Sequence, residues 1–128
     1  MPNVVRKKNL RSVWICVPPF ERSDFSAFSE VLSGMTLIVT PLDDVLAAIL
    51  QITPELVVIG QSVPQALALE LARTIKRTCA EPPLVVAIAN MSVKDKGSID
   101  RVLTAQPTPA QVRAVLRRVV GRLPFGNV

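Results

Sequence analysis

Few side chains in this 128-residue chain are suited to chemistry, and the absences narrow the field. There is no histidine, which removes the commonest general base and metal ligand. Cys16 and Cys79 fall in an apolar run and near a helix end, which predicts separate, reduced thiols rather than a disulfide. Asp43 and Asp44 are adjacent carboxylates that a divalent cation could use. They follow Thr40-Pro41, a helix-start signal, however, and acids in a first helical turn complement the positive end of the helix dipole. Arg113, Arg117, Arg118 and Arg122 form two pairs spaced four apart, a cationic helix face that is either solvated or offered to a partner. No convincing pair of nucleophile and base is present. The expectation is a chain with no catalytic residues, no metal and no cofactor.

The formal charge of +5 is unevenly placed. Arg6, Lys7, Lys8 and Arg11 supply four of the positive charges before the first acid, Glu21, so the remaining 11 basic and 10 acidic residues leave only +1. This describes a basic tail, residues 1–11, on a nearly neutral domain. With 49% apolar and 20% charged residues, the composition is that of one globular domain. No apolar run approaches the roughly 20 residues that span a bilayer, and the first residues lack a signal-peptide pattern, so a cytoplasmic location is expected.

The elements that must position these residues are legible from hydrophobic patterning. Val13 to Val17, Met35 to Val39, Leu56 to Ile59, Leu84 to Ile88 and, more weakly, Arg101 to Ala105 are valine- and isoleucine-rich runs, as strands covered on both faces require. Helical stripes alternate with them: Phe25, Phe28 and Leu32; Leu42, Val45, Leu46 and Ile49; Leu67, Leu71 and Ile75; and Val112, Val115, Leu116, Val119 and Leu123. Thr108 with Gln111 forms a capping box, and Pro109 suits the first helical position. The polar interval Asn90 to Asp100, which includes Gly97, predicts a fourth helix that is short or absent. Together these imply an α/β fold, a single doubly wound five-stranded parallel sheet flanked by helices, over residues 12–123. Residues 124–128 then form a C-terminal tail or the start of a linker.

The third run, Pro54-Glu-Leu-Val-Val-Ile-Gly-Gln-Ser-Val-Pro64, resembles the corresponding strand of response-regulator receiver domains. In that family the apolar run ends on a phosphoacceptor aspartate, and here the position falls on Gly60. The resemblance covers roughly Ser12 to Leu123 and places the acid pair that holds Mg²⁺ on Val17-Pro18 or Pro18-Pro19. It also puts the switch hydroxyl near Ile88, with Ala87 and Ala89 beside it, and the lysine that precedes a proline on Gln106. Aspartyl phosphorylation needs a carboxylate nucleophile, a cation held by oxygen ligands and a positive charge on the phosphoryl oxygens. The aligned positions supply none of these, so the chain resembles an atypical, pseudo-receiver member of the family. A glycine at a strand tip and prolines after a strand are otherwise ordinary turn and loop residues.

What the resemblance implies is a phosphorylation-independent signalling module of bacterial regulation that binds another protein or itself as a homodimer. The surface from roughly Ser92 to Leu123 is the expected contact region. The alternatives are a small-ligand or nucleotide-binding α/β domain and nucleic-acid contact through a basic pole. Against the first, Val17-Pro-Pro-Phe-Glu-Arg22 is no glycine-rich phosphate cradle; against the second, no tyrosine and few phenylalanines are available for base stacking.

Overall fold

A computed structural model describes residues 10–18, 22–39, 42–88 and 97–122, with residues 42, 43 and 118–122 described in backbone only. The element order is β1 (Ser12–Cys16), α1 (Arg22–Ser29), β2 (Thr36–Val39), α2 (Leu42–Ile52), β3 (Leu56–Ile59), α3 (Gln65–Thr78), β4 (Leu84–Ile88), β5 (Arg101–Leu103) and α4 (Pro109–Arg122). The five strands form one parallel sheet in the order β2-β1-β3-β4-β5. This is the doubly wound α/β architecture that the alternating runs imply.

Side chains alternate across the sheet with the period of two that a pleated strand imposes. Trp14, Cys16, Val58, Val86 and Ile88 face α1 and α4 and pack with Phe28, Leu32, Val112 and Leu116. Val13, Ile15, Val57, Ile59, Val85 and Ala87 face α2 and α3 and pack with Val45, Ile49, Leu71 and Ile75. The two cysteines, which form no disulfide, thus belong to opposite faces. Trp14 is a core residue, with Phe25 and Phe28 edge-on at ring-centroid distances of 5.5 Å each.

The weakest strand pattern is placed by polar contacts. Val85 and Asp100 exchange backbone and side-chain bonds: the Asp100 N–H donates to the Val85 carbonyl at 2.8 Å, and the Val85 N–H donates to Asp100 Oδ2 at 2.8 Å. Lys76 Nζ, at the end of α3, donates to the same carboxylate oxygen at 2.6 Å and to the Pro83 carbonyl at 2.7 Å. This clasp sets β5 beside β4 although all three residues of β5 are only partly buried.

The boundaries differ from the sequence expectation in four places, the first being β2, which begins at Thr36 rather than Met35. β1 begins one residue earlier and ends at Cys16, β5 ends at Leu103, and α1 stops at Ser29, so Leu32 joins the core from beyond the helix. Leu10 and Arg11, which the expectation gives to the tail, are tied in: Leu10 is buried, and the Arg11 N–H donates to Glu55 Oε1 at 2.9 Å. Residues 1–9, 123–128 and most of the interval expected to hold a reduced fourth helix lie outside the described residues; described residues 97–100 contain no helix.

Candidate functional site

All strands being parallel, their carboxyl ends make one rim, and the sequence-marked positions collect there. β3 continues into Gly60, whose N–H donates to the Ile15 carbonyl at 2.8 Å and whose carbonyl accepts from the Val63 N–H at 3.1 Å. Gly60 is therefore a buried hinge between strand ladder and turn. From this turn the Ser62 hydroxyl accepts the Val17 N–H at 2.9 Å, closing the gap between the tips of β1 and β3. Pro18 is exposed beside it, Ile88 ends β4 in the core, and Gln106 lies exposed after β5 with φ of 58°. A positive φ is unfavourable for any residue with a Cβ, so something must hold Gln106 there.

That holding group is Asp24. It lies in the first turn of α1 and is fully buried. The Gln106 N–H donates to Asp24 Oδ1 at 2.7 Å, and Gln61 Nε2 donates to Asp24 Oδ2 at 2.8 Å. One carboxylate thus joins α1, the β3–α3 turn and the β5–α4 junction. Burying it is tolerable because each oxygen has a close donor. The carboxylate has no exposed surface.

Asp24, Gln61 and Ser62 were not marked by the sequence reasoning. A signal for Asp24 existed: it falls on the helical stripe with Ala27, Phe28 and Val31, all buried, and an acid on an apolar stripe demands a partner. For Gln61 and Ser62 no sequence signal existed, since both depend on which loops meet at the rim.

Beside this network a depression of about 310 Å³ opens between the tips of β3 and β4, lined by Gly60, Gln61, Gln65, Ala87, Ile88 and Ala105 among others. It brings together Gly60 and Ile88, the two positions that the sequence resemblance aligns with a phosphoacceptor and a switch hydroxyl, with an apolar floor. Asp44 is exposed, the Asp43 side chain lies outside the described residues, and among the described residues no group of three histidine, cysteine or acidic side chains could hold a metal.

The last helix carries the other candidates. Its start is built as the sequence predicts: the Gln111 N–H donates to Thr108 Oγ1 at 3.2 Å, and the Thr108 N–H donates to Gln111 Oε1 at 2.8 Å. Val112, Val115 and Leu116 dock in the core, which leaves Arg113 and Arg117 exposed one turn apart. Neither forms a salt bridge among the described residues. The side chains of Arg118 and Arg122 lie outside the described residues.

The sequence matches no protein-family model and none of the curated proteins. Solved structures do match. NtrX from Brucella abortus, in complex with ADP, is 20% identical with a TM-score of 0.63, over 88% of this chain and 26% of that one. The present chain thus spans about a quarter of the length of NtrX. A response regulator from Desulfuromonas acetoxidans is 14% identical with a TM-score of 0.60, covering 88% of this chain and 98% of that one. The pilus assembly protein CpaE from Caulobacter crescentus is 19% identical with a TM-score of 0.55, covering 84% and 97%. With the parallel sheet order and the flanking helices, these likenesses assign the chain a receiver-like α/β fold.

Proposed function

We propose that this chain is a phosphorylation-independent pseudo-receiver domain of bacterial regulation, without catalytic activity, that acts as a protein-protein interaction or dimerisation module. The observation that carries the proposal is the chemistry of the rim. Val17, Pro18, Gly60, Ile88 and Gln106 stand at or beside the strand tips where a phosphorylatable receiver needs acids, a hydroxyl and a lysine. The buried carboxylate nearby, Asp24, is engaged by two donors. What remains for function is surface, and the β5–α4 side offers Arg113 and Arg117, which form no salt bridge among the described residues.

Incubation with acetyl phosphate and Mg²⁺ followed by intact-mass measurement tests the rim. The expected result is an unmodified mass. An adduct mapped to the turn around Gly60 or to Asp24 would overturn the proposal.

A further inference from the structure

We propose that Asp24 is a conformational pin that couples the β3–α3 turn to the β5–α4 junction, so that the arginine face of α4 is positioned from within the chain. The inference rests on reading that face as an interaction surface, but its test needs no partner. Asp24 is the only buried charged side chain among the described residues. Such a group persists where its hydrogen bonds offset the cost of desolvation. Its two oxygens are shared between two loops that are 45 residues apart in sequence, the Gln61 amide and the Gln106 N–H. Both of these donors are uncharged, so the contact holds geometry rather than balancing charge.

From Gln106 the constraint passes directly to the helix. Gln106 is held at positive φ, Pro107 is buried, and Thr108 caps α4 through its reciprocal bonds with Gln111. Arg113 and Arg117 follow on the exposed side of the same rigid element. On the other side, Gln61 adjoins Gly60 and lines the rim depression. A shift of the β3–α3 turn is thereby transmitted to α4 through one carboxylate, and with the carboxylate in place the two loops hold a single arrangement.

Amide hydrogen exchange, read residue by residue by NMR, decides the matter. In Asp24→Ala the Gln106 amide is expected to exchange at least about tenfold faster, with cross-peaks shifting along Ala105 to Arg113, while Val58 and Val86 keep their protection. Asp24→Asn should stay within about threefold of the parent, because its carbonyl still accepts from Gln106 and the Gln61 amide can turn to meet the new NH₂. Gln61→Ala, an exposed position remote from α4 in sequence, should speed the Gln106 amide by about threefold. Unchanged exchange at Gln106 in Asp24→Ala would overturn the pin. So would an increase at Val58 and Val86 equal to that at Gln106, which would make Asp24 a contributor to overall stability alone. Should Asp24→Ala fail to fold, Gln61→Ala decides by itself, an unchanged Gln106 amide overturning the coupling. A mass adduct or an irrelevant arginine face would sink the functional proposal while leaving the exchange result intact, so the two fail separately.

Discussion

At the scale of single residues, the rim is governed by where backbone and carboxylate groups find partners. Gln106 shows the cost of this arrangement: a residue with a Cβ at φ of 58°, placed before a proline, is kept there by the Asp24 carboxylate on its N–H. Gln106→Gly removes the steric penalty but adds freedom to the unfolded chain, so stability should stay within about 1 kcal/mol of the parent. Gln106→Val puts a β-branched side chain into the same region and should cost about 2 kcal/mol or more. Urea denaturation midpoints of the two variants check the contrast; equal midpoints would mean that the junction adapts without strain.

At the scale of elements, α4 depends on its first turn. Thr108 and Gln111 satisfy each other's backbone donors, and Pro109 occupies a position where no N–H is needed. Thr108→Ala should therefore destabilise by about 1 kcal/mol, measured by thermal or urea unfolding. Because the same turn adjoins Pro107 and Gln106, the variant should also raise exchange in the first turn of α4 before it affects the sheet. β5 illustrates the opposite balance. Its three residues bury little, and the Lys76–Asp100–Val85 clasp, rather than hydrophobic pattern, sets its place.

At the scale of the whole molecule, two surfaces stand apart from the sealed core. At one edge, β2 exposes Leu37 and Val39, 47% and 42% accessible, on the side of the short helix α1. Towards the other lies the β5–α4 side with Arg113 and Arg117. As neither arginine is ion-paired among the described residues, replacing both by glutamate should change stability by no more than about 0.5 kcal/mol per site. If this face makes the functional contact, the double variant should lose partner capture or self-association that the parent retains at equal folding. A large fall in melting temperature would mean that the arginines pack structurally, and unaltered binding would place the contact on another surface.

Much of this architecture is determined locally and is therefore visible in the sequence. Valine-rich runs, a helical stripe such as Val112, Val115 and Leu116, and the Thr108–Gln111 box each encode their own conformation through periodicity and short-range hydrogen bonds. The strand ends at Ile59 and Ile88 are legible for the same reason, since a strand's end follows from its own apolar run. What tertiary structure alone decided is the polar wiring between elements. Asp24 reaches Gln106 across 82 positions, and the Ser62 hydroxyl reaches Val17 across 45. Such bonds have no sequence period; they exist because right-handed crossovers carry distant loops to one rim, where a buried carboxylate must find donors whatever their distance along the chain.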